Sequence, residues 1–294
     1  MKKLPIILVT GCGSGIGLAL AEQLYKKNRY RVIITARKNS IALLHEKFVE
    51  RENFLIRELD VINENQRIKL IDEIVARWSG VNILINNAGV SYRAVVEHMS
   101  ADEELHQFAT NYFGPVGLIR AVLPHMRKLG RGKIINVSSV SGMLAMPTMG
   151  SYSASKYALE GLSEALWYEL KPLGINVSLI QPGFVRSKSF LNVKYSVLST
   201  PQHDTEAVYA DYYQNMTPFI ERLMRLSLTS PTDVALRILK VIEKKNPPLW
   251  IPATLDAMIF YYMRRFIPRG ILLNLLFSIL PNARKWARKY TNRV

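Results

Sequence analysis

The chain has 294 residues, 49% of them apolar and 21% charged, which is enough for one sizeable core and excludes wholesale disorder. Its single cysteine, Cys12, excludes an intrachain disulfide framework, and the sparse, scattered Cys/His content gives no reason to expect a metal site. Thirty-nine Lys+Arg against 23 Asp+Glu leave a net charge of +16, so an anionic partner is expected: phosphate, an acidic substrate, nucleic acid or a membrane surface.

The chain alternates short β-branched runs with longer helical patterns. Ile6-Ile7-Leu8-Val9 reads as a first strand, followed by a helix over about 15–27. Val32 to Thr35 is a second strand, Ser40 to Glu50 a second helix, and Phe54 to Ile56 a third strand. Asn63 with Gln66 is a capping-box pair opening a helix that reaches Trp78, and Ile83 to Ile85 is a fourth strand. Ser100 with Glu103 caps a helical region continuing through Asn111 towards Arg127. Lys133 to Val137 is a fifth strand, Tyr152 to Leu170 a long helix, and Val177 to Ile180 a sixth strand. Ser230 and Pro231 open a helix that ends near Glu243, and Leu249 to Ile251 is a last strand.

Strands that read as unbroken apolar runs are buried on both faces. With crossover helices between them they specify an α/β fold: a Rossmann-type, doubly wound parallel sheet of about seven strands with helices on both faces. Residues 1–252 make this α/β domain. The stretch 188–229 has weak periodicity and is expected to cover a pocket. It carries Phe190, Tyr195, Tyr209, Tyr212, Tyr213, Met216, Phe219 and Met224, which suit either an apolar pocket or ordinary packing.

Residues 253–294 form an apolar, basic, helical C-terminal extension. From Ala257 to the end there is no acid, but there are Arg264, Arg265, Arg269, Arg284, Lys285, Arg288, Lys289 and Arg293. Apolar segments flanked by basic and aromatic residues suit a peripheral, one-leaflet membrane contact through 257–294, with packing on the body as the alternative. The apolar residues between the bases argue against nucleic acid. No run approaches the ~20 apolar residues of a spanning helix. The Met1-Lys2-Lys3 start with its six-residue apolar run is too short for a signal peptide. A cytoplasmic chain, peripheral at the inner face of a membrane, is the expectation.

After the first strand comes Thr10-Gly11-Cys12-Gly13-Ser14-Gly15-Ile16-Gly17. Glycines let backbone approach a pyrophosphate, and the helix N-terminus offers it free N–H groups. The second strand ends in Thr35-Ala36-Arg37-Lys38, without the carboxylate that holds an NAD ribose. Arg37 there favours the 2′-phosphate of NADP, with NAD the less favoured cofactor.

Further along are Asn86-Asn87-Ala88-Gly89, Asn111-Tyr112-Phe113-Gly114, Ile135-Asn136-Val137-Ser138-Ser139, Tyr152-Ser153-Ala154-Ser155-Lys156 and Pro182-Gly183. In this order, over roughly residues 4–252, the set resembles the short-chain dehydrogenase/reductase family. The resemblance implies a catalytic tetrad of Asn111, Ser139, Tyr152 and Lys156, with Ser139 at the family spacing of 13 residues before Tyr152. It also implies cofactor contacts from Gly11, Gly13, Ser14, Gly15, Ile16, Gly17, Asp60, Val61, Asn87, Ala88, Gly89, Tyr152, Lys156, Pro182, Gly183, Val185 and Ser187. Ser187 stands where the family often has threonine. A homodimer or homotetramer is implied too.

Tyr152 and Lys156, four apart, share one helical face, so the ammonium is expected to lower the phenol pKa towards neutrality. The combined reading is an NADP(H)-dependent oxidoreductase that interconverts hydroxyl and carbonyl on a lipophilic steroid-, retinoid- or fatty-type molecule. Alternatives are a reductase of 3-oxoacyl thioesters and a non-catalytic NADP-sensing or scaffold protein.

Overall fold

The computed structural model describes residues 4–187, 193–199 and 208–286. Phe190, part of the proposed lid, and the bases Arg288, Lys289 and Arg293 lie outside them. Seven strands form one parallel sheet: β1 (Ile6–Val9), β2 (Arg31–Ala36), β3 (Phe54–Glu58), β4 (Ile83–Asn86), β5 (Gly132–Val137), β6 (Ile175–Gln181) and β7 (Trp250–Pro252). Their spatial order is β3-β2-β1-β4-β5-β6-β7. The order reverses between β1 and β4, which opens a crevice at the carboxyl ends of these two strands.

Alternation along each strand feeds two cores. Ile7, Val9, Ile34 and Ile85 face one side and pack under α1 (Gly15–Lys27), α2 (Lys38–Lys47) and, further along the sheet, α8 (Pro231–Glu243). Ile6, Leu8, Ile33 and Leu84 face the other, under α3 (Glu64–Trp78), α5 (Gly114–Leu129) and α6 (Gly150–Leu170). Every residue of β1 and β4 is buried, so the apolar runs in the sequence follow from burial on both faces.

The expected single helix from Ser100 to Arg127 is broken. Ser100 and Glu103 form a full capping box on α4 (Ala101–Phe108), but Ala109–Phe113 is a π-helical turn before α5. Pro115 has no N–H for the Asn111 carbonyl and its ring crowds that turn, which accounts for the wider register. The segment expected to be irregular contains α7 (Ala210–Leu226). After β7, Thr254 caps α9 (Leu255–Phe266), and Pro268 leads into α10 (Arg269–Ile279). Among the described residues no helix is long and apolar enough to cross a membrane.

Candidate active site

A cleft of about 670 Å³ lies over the carboxyl ends of the strands. The glycine turn forms its floor. Gly11 has φ +71°, and a Cβ there would meet Ala88 Cα at 2.6 Å; Gly15 has φ +55° and opens onto free space. Ser14, the N-cap of α1, makes no side-chain capping bond, and the first turn of α1 holds no acid. Its N–H donors are therefore left facing the cleft, the arrangement a pyrophosphate needs.

Most of the expected cofactor residues line this cleft: Gly11, Gly13, Ser14, Gly15, Ile16, Arg37, Asp60, Val61, Asn87, Ala88, Gly89, Pro182, Gly183, Val185 and Ser187. Gly17 does not. A Cβ on Gly17 would overlap the Gly11 carbonyl oxygen and Asn87 Nδ2, so its place is in the packing of α1 beneath the turn. Asn87 stitches the same layer, its Nδ2 donating to Thr10 O and Gly11 O at 3.0 Å each. Asp60 is oriented by Gln66, whose Oε1 accepts from Asp60 N at 2.7 Å. Asn63 caps α3 as expected, but its predicted capping-box partner is spent on Asp60.

Tyr152 and Lys156 project from the first turns of α6 into the cleft, with Ser139 opposite at the end of β5. Ser139 Oγ accepts from Ser141 N at 3.1 Å, which leaves its hydroxyl hydrogen to donate. Ser138 is committed elsewhere: its Oγ donates to Glu160 Oε1 at 2.8 Å. Lys156 Nζ donates to Val137 O at 2.9 Å and stands 5.9 Å from the centre of the Tyr152 ring. Asn111 is fully buried behind the cleft wall in the π-helical turn. Its Nδ2 donates to Val90 O and Ser155 Oγ, and its Oδ1 accepts from Val90 N.

The electrostatics reverse one expectation. Burial pushes the Tyr152 phenol up, and a hydrogen bond with Ser139 offsets only part of this. Burial also pulls the Lys156 ammonium down to about 8, against the attraction of Glu160. Desolvation therefore outweighs the i, i+4 proximity that predicted a depressed phenol. Tyr152 is held in the protonated form that can donate.

Three contributors escaped the sequence reading. Glu160 lies one turn beyond Lys156 on α6, bonded by Ser138 and by Gln181 Nε2 at 2.9 Å, with burial raising its carboxyl to about 7. Thr254 and Asp256, at the start of α9, hold the loop after β6. Gly183 N donates to Thr254 Oγ1 at 2.9 Å and Phe184 N to Asp256 Oδ2 at 2.8 Å. The helical spacing Lys156/Glu160 and the N-cap pattern Thr254-x-Asp256 were visible, but their partners were not.

The model of the short chain dehydrogenase family matches residues 5–195. This chain belongs to the short-chain dehydrogenases. A 3-ketodihydrosphingosine reductase of Bacteroides thetaiotaomicron is 37% identical over 278 residues, covering 89% of this chain and 97% of the relative. Retinol dehydrogenase 8 of Bos taurus is 34% identical over 253 residues, covering 83% and 79% respectively. A short-chain dehydrogenase/reductase of Burkholderia phymatum, solved in complex with NAD, is 25% identical with a TM-score of 0.74 over 93% of this chain and 97% of that one. As a short-chain dehydrogenase this protein is an oxidoreductase of CH–OH groups, and its fold binds a nicotinamide dinucleotide.

Most of the expected lid side chains serve packing. Of the described ones, only Met224 lines the cleft, joined there by Ile220. Tyr213 OH accepts from Val95 N, Tyr209 OH donates to Glu97, Tyr212 packs on Trp286, and Met216 is in the core.

Proposed function

We propose that this short-chain dehydrogenase is an NADP(H)-dependent enzyme that interconverts a hydroxyl and a carbonyl on a lipophilic small molecule, with Tyr152 as general acid/base. The observation that carries this is the meeting of Ser139, Tyr152 and Lys156 on the wall of the cleft whose floor is the glycine turn. The cofactor, when bound, supplies or accepts the hydride; the protein positions and moves protons. The residues fit such a group, because the open Gly15 and the uncapped start of α1 leave donors and room for a pyrophosphate.

In reduction the Tyr152 hydroxyl gives its proton to the nascent alkoxide, and the Ser139 hydroxyl donates a hydrogen bond to the same oxygen. In this reading Lys156, whose Nζ is held by Val137 O, returns a proton to Tyr152. Asn111 fixes Val90 behind Lys156 and completes the proposed tetrad. Oxidation runs these steps backwards.

The NADP preference rests on Arg37, which lines the cleft beside Asn39 and Ser40 with no acid at the end of β2. The Burkholderia structure, which holds NAD, leaves that choice with this chain's own residues. The lipophilic class rests on Met146, Met149, Phe184, Val193, Ile220 and Met224 along the cleft. Peripheral membrane contact is supported by the exposed apolar side chains of α10, among them Ile271, Leu273 and Phe277. Residues 1–252 are read as the catalytic domain, in a homodimer or homotetramer.

The test is NADPH oxidation against a panel of apolar ketones and acyl thioesters. Tyr152→Phe should cut turnover by about 10²–10⁴-fold while NADPH affinity stays within about twofold. Unchanged turnover would refute the assignment. Turnover confined to thioesters would move it to acyl-chain reduction.

A further inference from the structure

The cleft wall holds a charged side chain that the hydride-transfer chemistry does not use. Beyond Gly89 the chain runs Val90-Ser91-Tyr92-Arg93, and Tyr92–Arg93 pairs in parallel with Lys194–Tyr195. Its backbone is fixed on several sides. Tyr92 N donates to Gln107 Oε1 at 2.8 Å, Ser199 Oγ donates to Arg93 O at 2.8 Å, and Ala94 N donates to Thr148 O at 2.9 Å. The last bond ties the segment to the entry of α6, just ahead of Met149 and Tyr152, which line the same cleft.

Arg93 lines the cleft with only 2% of its surface exposed, and its Nε and Nη1 have no hydrogen-bond partner. It enters none of the ion pairs among the described residues. Ser91 Oγ, also on the cleft wall, is buried and unpartnered, and so is Gln107 Nε2. Lys194 lines the same cleft, its Nζ 3.4 Å from the Tyr92 hydroxyl. The positive field reaches His106, whose pKa is lowered by burial and then by Lys194 and Arg37, with Asp60 opposing.

A buried guanidinium is normally paired, because removing it from water without a counter-charge is costly. Here nearly every unmet group is a donor, and the charge beside them is positive. The complement is an acceptor that carries negative charge and suits the planar fork of arginine.

We propose that Arg93, with Ser91 and Lys194, binds an anionic group of the substrate: a carboxylate or phosphate carried on the apolar oxo or hydroxy compound. The identity of that compound as a substrate rests on the oxidoreductase reading above; the anion site itself does not. A neutral steroid- or retinol-like molecule leaves Arg93 unmet, and an amine-bearing chain meets like charge.

The test is calorimetric titration of the full-length protein with decanoate, decyl phosphate, methyl decanoate and decylamine, in the presence of NADPH. Decanoate or decyl phosphate should bind at least about 10-fold more tightly than methyl decanoate, and decylamine most weakly. The stronger of the two anions names the headgroup. Arg93→Met should weaken anion binding about 10- to 100-fold while methyl decanoate changes by less than about twofold, and Arg93→Lys should restore part of the preference. The melting temperature of Arg93→Met should equal or exceed that of the parent, because an uncompensated buried charge is removed.

Equal affinities for ester and anion, an anion preference that survives Arg93→Met, or a clear loss of melting temperature would each overturn the proposal. NADPH oxidation by 9-oxodecanoate and its methyl ester separates the two readings. Equal turnover of both by the parent and by Arg93→Met sinks the anion site and leaves the oxidoreductase standing. Arg93-dependent anion binding without oxidation of NADPH on any carbonyl supports the site and sinks the proposed reaction.

Discussion

Gly183 and Asp256 give a sharp test of how the loop after β6 is held beside the cleft. A Cβ on Gly183 would overlap Asp256 Oδ2 and stand 2.5 Å from its Cγ, although the backbone of Gly183 does not require glycine for its φ. Gly183→Ala must therefore displace the carboxylate that accepts from Phe184 N at 2.8 Å. Overpacking costs about 1–3 kcal/mol, and a hydrogen bond to a charged group is worth about 1.5–3 kcal/mol. We expect Gly183→Ala to cost about 2–4 kcal/mol, and Asp256→Ala about 1.5–3 kcal/mol through the lost bond. The double variant has room for the methyl, so its cost should match Asp256→Ala alone. That places it about 2–4 kcal/mol short of additivity. Urea unfolding of the four proteins measures the cycle; at this chain length 1 kcal/mol corresponds to about 2 °C in melting temperature. NADPH titration of the same set should show weaker binding in both single variants. Additivity within about 0.5 kcal/mol would refute the claim that α9 positions this loop.

Further outcomes follow from the same geometry. Glu160, raised to about 7 from an ordinary 4.5, keeps a proton in the folded state that the unfolded chain has released. Stability should thus fall as pH rises from about 4.5 to about 7, by roughly 3 kcal/mol at most. Glu160→Gln should flatten that slope in urea unfolding between pH 5 and 8, and an unaltered slope would count against it. Arg37→Ala should weaken NADPH binding by about 10-fold or more and leave NADH nearly unchanged, measured by fluorescence titration; equal losses would remove the argument for a 2′-phosphate. Ile271→Glu with Phe277→Glu, both on exposed positions of α10, should reduce flotation with anionic liposomes without altering the melting temperature. Retained flotation would exclude this face as the contact.

The sheet was legible because each parallel strand is buried on both faces, which leaves an apolar run that no surface strand would show. The glycine turn and the Tyr152/Lys156 spacing were legible because their requirements are local. What stayed hidden depends on who meets whom. The π turn that buries Asn111 interrupts what read as one helix, and it needs the contact with Val90 and Ser155. Arg93, four residues past Gly89, belongs to no motif in the sequence, and only its burial sets it apart. The Tyr152 phenol went the other way from the sequence argument, because proximity in helical spacing says nothing of the desolvation that the closed wall imposes on both partners.

The C-terminal bases also divide once their neighbours are known. Arg264 Nη1 donates to Met143 O at 2.6 Å and its guanidinium lies 5.0 Å from the Tyr157 ring centre, while Tyr157 OH donates to the same carbonyl. Arg265 stacks on Tyr261 and Trp250. Two of the charges counted for a membrane surface thus serve the protein itself. At its other end, α9 holds Gly183 and Phe184 through Thr254 and Asp256. A helix of 12 residues, about 18 Å long, therefore braces both loops that flank Tyr152, the one after β5 and the one after β6. Ala257 seals the contact against Val140 and Met143. The extension from 253 onwards in this respect braces the cleft wall. A contact made by the exposed apolar face of α10 would act on that wall through the proline-containing joint at Ile267-Pro268, which links α10 to α9.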